Sequence, residues 1–312
     1  MEYTITKIED DSYPFIKRLY KLCFNSTKSI EYVSKKYATH HFGHKNIGFI
    51  ALSENNPAAY YGTFPLKLTL NGSDIAVAQS GDTMTAPNHR KQGLFIKLAN
   101  KCYEYAKEQN IDFIFGFPNE NSMPGFVNKL QWEFYDFMYD FTIESKALPF
   151  CELVAKLKVG VGIYESFVRK RLSKNIIPFS NEVEEKLNDF GTDIGYIKKN
   201  EDFFHYKTYE KNYLIKINGF IIHLKASTHL YIGAVSKFSP QEADKFIDTL
   251  KLLARKLACK KIILSLNPSH WLFSILENKI TSKKSLPVGF LTLNKSIDYS
   301  KVAFSRSDYD TF

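Results

Sequence analysis

Cysteine is scarce in this chain of 312 residues: there are four, and none stands in a CxxC pair or at the spacing of a zinc site. No run of 18 apolar residues occurs, which argues against a membrane-spanning helix. The chain starts Met-Glu-Tyr-Thr-Ile-Thr without a basic and apolar leader, so we expect no secretory signal. These absences favour a cytoplasmic protein without a metal site or a membrane span.

Positive charge is in excess, but it is not concentrated. Lys and Arg number 42 against 33 Asp and Glu, which gives a net charge of +9. The lysines are scattered and form no block of five or six, so the charge favours phosphorylated ligands over a nucleic-acid track. Hydrophobic residues make up 44% of the chain and aromatic residues 15%, which is ample material for the cores of two domains.

One short segment combines the features of an anion-binding site. Residues 83–95, Thr-Met-Thr-Ala-Pro-Asn-His-Arg-Lys-Gln-Gly-Leu-Phe, indicate a strand that ends at Pro87, a basic loop and the start of a helix. The free N–H groups and the dipole at a helix start favour an anion. Arg90 and Lys91 add positive charge there, and Gly93 permits close approach of the backbone. The alternative is a solvated turn with two charges.

The residues after this loop complete a βαβ unit. Apolar residues recur at helical spacing from Leu94 to Ala106, and charged residues occupy the opposite face. Gln109 and Asn110 end that helix, and residues 111–117 predict a buried strand. Strand, basic loop, helix and strand therefore follow one another, as in a phosphate-binding α/β unit.

The remainder of the first 143 residues predicts further strands and helices. Strands are expected at 3–7, 47–52, 58–70 (strand material over 58–65 and 66–70), 75–85, 134–139 and 140–143, and helices at 12–23, 29–37 and from Asn121 or Ser122 to Leu130. The pair Asn71-Gly72 is a strong hairpin signal between two of the strands. The order begins β-α-α-β-β-β-α-β, which is a mixed α/β arrangement.

In order and spacing, the basic loop resembles the acetyl-coenzyme A loop of the GNAT acetyltransferase superfamily, Arg/Gln-x-x-Gly-x-Gly/Ala. Arg90, Gly93 and Phe95 fill its three fixed places, with Phe95 where a small residue is usual. The resemblance covers about residues 1–142 and implies the GNAT fold, with acetyl-CoA as cofactor. The cofactor contacts that it implies are Thr83, Met84, Thr85, Arg90, Lys91, Gln92, Gly93, Leu94 and Phe95, together with the amides of Asn119 and Asn121, the second of which has a helix cap as its alternative role.

The second half of the chain repeats this order of elements without repeating the sequence. Strands are expected at 213–217, 220–224, 229–236, 261–266 and 288–293, with helices at 239–258 and 269–277. Helices at 148–157, 164–172 and 180–190 precede them. We therefore expect a GNAT domain at 1–143, a helical connector at 144–195 and a degenerate GNAT-like half without a cofactor loop at 196–312. The alternative for the last part is an unrelated α/β domain.

Two carboxylates are candidates for the chemistry. Acyl transfer from a thioester to an amine requires a group that takes the amine's proton and a donor for the developing oxyanion. Asp82 interrupts an apolar strand, where a carboxylate is costly unless it points into a polar cavity. We expect it to act as base or to orient the amine; the alternative is a satisfied strand-edge Asp. Glu120, on the loop after residues 111–117, is the second candidate, and a solvated loop Glu is its alternative.

The general acid for the leaving thiolate is not evident. In many GNAT members a Tyr on the short helix fills this role, and here that place is Val127. Tyr60, Tyr61 and Tyr135 are the alternatives, or the thiolate leaves without an acid.

The first functional expectation is an acetyl-CoA-dependent N-acyltransferase acting on the amine of a small molecule. The phrase Gly-Phe-Pro-Asn-Glu-Asn-Ser at 116–122 resembles that of larger acetyltransferases of sugar-modifying pathways, which favours a nucleotide-linked amino sugar. An aminoacyl-tRNA-dependent transferase of the related double-GNAT type is the first alternative. A non-enzymatic acyl-CoA-binding protein is the second.

Overall fold

The computed structural model describes residues 2–312, which form two compact units that interleave along the chain. Unit 1 consists of the N-terminal segment up to Tyr135, His205–Tyr209 and Pro287–Tyr299. Unit 2 consists of Asp136–Phe204, Glu210–Leu286 and Ser300–Phe312.

The first 144 residues contain α1 (Tyr13–Phe24), α2 (Ile30–Lys36), α3 (Leu94–Glu108) and α4 (Met123–Leu130). Their strands are β1 (Thr4–Lys7), β2 (Ile47–Ser53), β3 (Asn56–Leu70), β4 (Ser73–Thr85), β5 (Phe113–Gly116) and β6 (Glu133–Glu144). The later helices are α5 (Phe150–Leu157), α6 (Val161–Leu172), α7 (Asn181–Leu187), α8 (Glu201–Tyr206), α9 (Ala243–Lys256) and α10 (Trp271–Glu277). The later strands are β7 (Gly195–Ile197), β8 (Asn212–Ile217), β9 (Phe220–Ala226), β10 (Leu230–Val235), β11 (Lys261–Leu266), β12 (Ser282–Thr292) and β13 (Val302–Ala303).

The sheet of unit 1 has the strand order β1-β2-β3-β4-β5-β12. β1 to β4 are joined antiparallel, and β4 pairs with β5 in parallel after the crossover through α3. Asn71 and Gly72 close the β3–β4 hairpin at φ of +51° and +71°, the left-handed values that a two-residue primed turn needs. Leu98, Ala99 and Cys102 of α3 pack into the apolar core on this sheet.

The sheet of unit 2 has the strand order β6-β11-β10-β9-β8. β11 pairs antiparallel with β6 and in parallel with β10. The apolar face of α9, which includes Phe246, Leu250 and Leu253, is buried in the core of this unit.

Most of the expected elements are confirmed, and one pair of strands is corrected. The strand material expected at 58–65 and 66–70 is strand β3, as the expected order of elements has it, whereas the strand pair expected at 134–139 and 140–143 is the single strand β6. Neither junction contains a glycine or an Asn-Gly pair that would turn the chain. The short elements β7, α8 and β13 were not expected.

The order expected for the second half, three strands, helix, strand, helix and strand, is confirmed as β8 to β12. Each sheet takes one strand from the other half of the sequence: Gly289–Thr292 of β12 pairs with β5 in unit 1, and residues 139–144 of β6 pair with β11 in unit 2.

Candidate functional site

β4 is irregular where it approaches the basic loop. Its register with β3 slips, because Tyr60 and Gly62 oppose Met84 and Gly81, so β4 carries one residue more than β3. This is a β-bulge, and within it Asp82 has a φ of +52°. Few residues besides Gly, Asn and Asp adopt that left-handed conformation. The bulge therefore takes the Asp82 side chain out of the ordinary alternation of the strand.

β4 also extends beyond its pairing with β5. The parallel pairs join Val77–Gln79 to Phe113–Phe115. β4 then continues past the bulge to Thr85, still paired with β3, whereas β5 ends at Gly116. The last part of β4 thus extends beyond its pairing with β5. The expected contact residues Thr83, Met84 and Thr85 all lie on this stretch.

The helix that follows starts with unsatisfied donors. The first α-helical bond runs from Lys97 N to Gly93 O at 3.1 Å, so the N–H groups of residues 94–96 precede the helical ladder. Gly93 is the cap residue at φ +72°, and it has no side chain to accept those donors. An added Cβ there would meet no atom within 4 Å. With Arg90 and Lys91 exposed beside it, this open helix start fits an anion.

Phe95 occupies the place where the GNAT loop usually has a small residue, and the structure accommodates its bulk. Its ring packs against Phe126 of α4 at 5.3 Å and against Tyr61 of β3 at 5.8 Å between centroids. Gly125 makes the room, because a Cβ there would lie 2.6 Å from Phe95 Cε1. The ring therefore belongs to the α3–α4 packing, and the backbone N–H of Phe95 remains among the free donors of the first turn.

The loop between β5 and α4 is organised by Asn119. Its Oδ1 accepts hydrogen bonds from the N–H groups of Asn121 at 3.0 Å and Ser122 at 3.1 Å, and its carbonyl accepts one from Met123 N at 2.9 Å. Asn119 thus shapes the turn that leads into α4. Ser122 is at the N-cap position of α4, as expected of it or Asn121, but its side chain makes no capping hydrogen bond and its hydroxyl donates to the Asn119 carbonyl at 3.2 Å. Glu120 and Asn121 are exposed.

Asp82 lies in a buried polar cluster. Its Oδ1 is 2.8 Å from Lys36 Nζ, and its Oδ2 accepts hydrogen bonds from the hydroxyls of Tyr20 and Tyr37, the latter at 3.1 Å. The side chains of Lys36 and Asp82 are 1% and 7% exposed. α1 supplies Tyr20, while α2 and its cap residue supply Lys36 and Tyr37. Both carboxylate oxygens therefore have partners, as burial of a charge requires.

The two tyrosines act as donors in this cluster. Burial, followed by the charge of Asp82, raises the pKa of Tyr20 far above its ordinary value, and the same two causes raise the pKa of Tyr37. Both hydroxyls therefore stay protonated, and the carboxylate is the acceptor of both hydrogen bonds.

The three tyrosines that are candidates for the general acid, Tyr60, Tyr61 and Tyr135, differ in their surroundings. Tyr60 and Tyr61 are 1% and 0% exposed, and burial raises the pKa of each well above its ordinary value. The Tyr61 hydroxyl is bonded to Tyr103 at 2.7 Å and to Ser80 at 2.8 Å. Tyr135 is exposed, and its hydroxyl donates to Glu133. Of the three, Tyr135 alone has a hydroxyl on the surface.

Sequence reasoning found Asp82 but missed Tyr20, Lys36 and Tyr37. A signal for the lysine existed, because Val33, Lys36 and Tyr37 stand at i, i+3 and i+4 and so share one helix face. A lysine on an apolar face predicts a buried anionic partner. The sequence around Lys36 and the sequence around Asp82 do not identify the two residues as partners.

Neither a metal cluster nor a membrane-spanning helix is found among the described residues. Among residues 2–312, no group of three or more His, Cys, Asp or Glu side chains is arranged to hold a metal ion. In the same range, no helix is long and apolar enough to cross a membrane.

Residues 4–135, which contain the bulged strand and the open helix start, match the family model of the acetyltransferase (GNAT) domain. This part of the chain is therefore similar to the GNAT acetyltransferase domain. It has the mixed α/β fold of these proteins. GNAT acetyltransferases in general use acetyl-CoA. The chain has no match among curated proteins.

Solved structures share this fold at low sequence identity. A GCN5-related N-acetyltransferase from Kribbella flavida is 12% identical at a TM-score of 0.56, over 94% of this chain and 71% of that one. One from Anabaena variabilis is 14% identical at 0.57, over 94% and 73%. A protein from Enterococcus faecalis, described as a probable N-acyltransferase, is 10% identical at 0.58, over 94% and 73%.

Proposed function

We propose that the protein is an acetyl-CoA-dependent N-acyltransferase that transfers an acetyl group to the amine of a small molecule. The observation that carries this proposal is the open start of α3, which follows the part of β4 that extends beyond its pairing with β5. The loop of Arg90, Lys91, Gln92 and Gly93, with the free N–H groups of residues 94–96, suits a pyrophosphate. The bound cofactor would supply the activated acyl thioester.

The last part of β4 suits the amide-bearing arm of the cofactor. Thr83, Met84 and Thr85 lie on the stretch where β5 has ended, and the backbone groups of this stretch that point to that side suit the amides of the arm. Asn121 is exposed on the loop after β5 and offers a side-chain amide, while Asn119 Oδ1 is already used in hydrogen bonds within that loop. Direct attack of the amine needs no covalent enzyme intermediate, so the principal task of these groups is to hold two substrates in line.

We assign Asp82 to the amine, either as the group that orients it or as the base. The bulge directs its carboxylate away from the ordinary strand positions, and Tyr20 and Tyr37 fix its orientation. The ion pair with Lys36 favours the orienting role, because taking up a proton would leave the buried Lys36 cation unbalanced. The exposed Glu120 is then available as the proton acceptor.

As the amine substrate that receives the acetyl group, we propose a nucleotide-linked amino sugar. Two features support it: the phrase at 116–122, which is similar to that of sugar-pathway acetyltransferases, and the net charge of +9, which favours a diphosphate-bearing substrate. Fold does not decide substrate, so this choice depends on the amine assay below.

One observation favours a second candidate, a non-enzymatic acyl-CoA-binding protein. Both oxygens of Asp82 are occupied, and its side chain is 7% exposed. A carboxylate already satisfied within the fold has less capacity to serve a substrate amine.

An acetylation assay separates the two candidates. Acetyl-CoA is incubated with a panel of amines that begins with nucleotide-linked amino sugars, and release of the CoA thiol and the mass of the product are followed. We expect turnover by the wild type and a loss of roughly 10²–10⁴-fold in kcat for Asp82→Asn. Asn tolerates the left-handed backbone at this position, so the conformation of the bulge is retained.

Asp248→Asn, which removes an exposed carboxylate on α9, is the matched control and should leave the rate unchanged. A near-normal rate for Asp82→Asn would remove Asp82 from the mechanism. Binding of acetyl-CoA without any acetylated product would favour the non-enzymatic candidate.

A further inference from the structure

The α5–α6 region exposes an unusual concentration of apolar side chains. Of the fourteen large hydrophobic residues exposed within residues 2–312, half lie between residues 148 and 163, with exposed fractions from 46% to 80%. We call them the 148–163 patch; they are Leu148, Phe150, Leu153, Leu157, Val159, Val161 and Ile163. Single exposed apolar residues are ordinary, but a cluster of this density marks an interaction surface.

The apolar side of α5 is only partly covered by the fold. Cys151 and Val154 are buried in the core of unit 2. Phe150, Leu153 and Leu157, at i, i+3 and i+7, adjoin them on the helix surface and are exposed. An apolar helix face normally packs against a partner, and this part of it is left exposed by the fold. The outer face of α5 is therefore available to an apolar partner.

The wider segment that contains the patch, from Lys146 to Lys174, is basic. It carries seven Lys and Arg against two Glu, which is a net +5 of the chain's +9. Lys156 and Lys158 are exposed directly beside the apolar side chains. The Glu152 carboxylate is engaged within the protein, because its Oε1 accepts a hydrogen bond from the backbone N–H of Lys260 at 3.0 Å. The partner that complements this surface is apolar in its interior and negative at its boundary.

We propose that the 148–163 patch docks on the surface of a membrane that contains anionic lipids. Six of its seven side chains are aliphatic, whereas protein interfaces draw their binding energy mainly from Trp, Tyr and Arg in packed pockets. Exposed aliphatic side chains flanked by lysines are typical of segments that lie in the headgroup region of a bilayer. Each Lys near an anionic leaflet adds attraction that salt screens. The proposal does not depend on the acyltransferase function.

Vesicle co-sedimentation of the full chain tests the proposal. The vesicles are phosphatidylcholine alone, or phosphatidylcholine with about a third phosphatidylglycerol, at about 0.1 M and 1 M salt. We expect the wild type to sediment with the anionic vesicles at low salt, and at least about fivefold less at high salt or with neutral vesicles. Leu157→Ser, Val159→Ser and Ile163→Ser together should weaken binding at least about tenfold.

Leu252→Ser is the matched control, since Leu252 is 52% exposed on α9, outside the patch. It should bind like the wild type, and thermal unfolding shows whether the variants remain folded. Equal sedimentation of the triple variant and the control would overturn the proposal, as would absence of the wild type from the anionic pellet. Lipid-free analytical ultracentrifugation gives a third contradiction: a dimer that the triple variant dissociates would assign the patch to a second copy of the chain.

Discussion

The Lys36–Asp82 ion pair shows what a single buried charge demands of its surroundings. Removing two charges from water costs several kcal/mol for each ion, and close geometry with further hydrogen bonds must offset that cost. Here the Nζ–Oδ1 distance is 2.8 Å, and the hydroxyls of Tyr20 and Tyr37 complete the carboxylate's bonds. Loss of one partner leaves the other charge buried and unbalanced.

A double-mutant cycle therefore separates stability from function. Asp82→Asn and Lys36→Met should each lower the free energy of unfolding by about 3–5 kcal/mol, while the double variant recovers most of that loss. Urea denaturation measures all four proteins. The double variant should nevertheless remain slow in acetyl transfer, because the carboxylate is still absent. Additive losses of stability would contradict the ion-pair account.

Sequence reasoning reached Asp82 because a carboxylate within an apolar strand is anomalous on its own. It did not reach Lys36, which stands 46 positions earlier and pairs with Asp82 only in the folded protein. The left-handed φ of Asp82 was also out of reach, since it follows from the extra residue in β4 and not from a local turn signal.

Gly93 governs the start of α3, and the chain offers a matched glycine elsewhere. Gly93 and Gly72 have φ of +72° and +71°, and an added Cβ meets no atom within 4 Å at either. An Ala at either position should therefore cost a similar amount, about 1 kcal/mol of stability. Gly93 caps the helix start proposed for the pyrophosphate, whereas Gly72 closes the β3–β4 hairpin.

We accordingly expect Gly93→Ala to weaken acetyl-CoA binding about tenfold or more, and Gly72→Ala to leave the affinity unchanged. The physical reason is that an L-residue strained at the cap shifts the donors of residues 94–96 and places a methyl group where the ligand approaches. Fluorescence titration with acetyl-CoA compares the two variants. Equal affinities would show that the cap conformation is not used for binding.

At the scale of elements, hydrophobic periodicity and the Asn71-Gly72 signal predicted most helices and strands. The failure lies where a strand continues without a turn signal, as in β6. Strand partners were beyond prediction, because the pairing of Gly289–Thr292 with Phe113–Gly116 joins residues far apart in sequence. The fit of Phe95 depends on Gly125, which periodicity does not connect to the loop.

At the scale of the whole molecule, the core of unit 2 contains a titratable side chain, His270, that belongs to neither proposed site. His270 is buried, and its Nδ1 accepts the N–H of Leu272 at the start of α10 at 3.2 Å. Burial, followed by the charge of Lys199, lowers the pKa of His270 from 6.5 to about 3. Between those values the unfolded chain binds a proton that the folded chain does not, so stability falls as the pH falls.

His270→Asn should flatten this dependence. Wild type is expected to lose roughly 1 kcal/mol more per pH unit than the variant as the pH falls from about 6 to about 4. Asn retains an acceptor for the helix start and has no titration in this range. Urea denaturation across that range measures the difference, and parallel curves for the two proteins would contradict a neutral buried His270.

The sequence also predicted a second half with the same order of elements, and that order is observed. It did not predict that β6 and β12 each contribute to the sheet of the other half, because the pattern of a strand specifies its faces and not its neighbours. The domain boundaries at 143 and 195 stay a prediction.

Calorimetric titration of acetyl-CoA tests the central claim most directly. Wild type is compared with Arg90→Ala/Gly93→Trp, which removes the charge and the open space at the start of α3, and with Arg255→Ala/Gly72→Trp as the matched control. The account predicts saturable binding to wild type and control, and a loss of binding in the first double variant. Absence of binding to wild type, or undiminished binding to the first double variant, would contradict it.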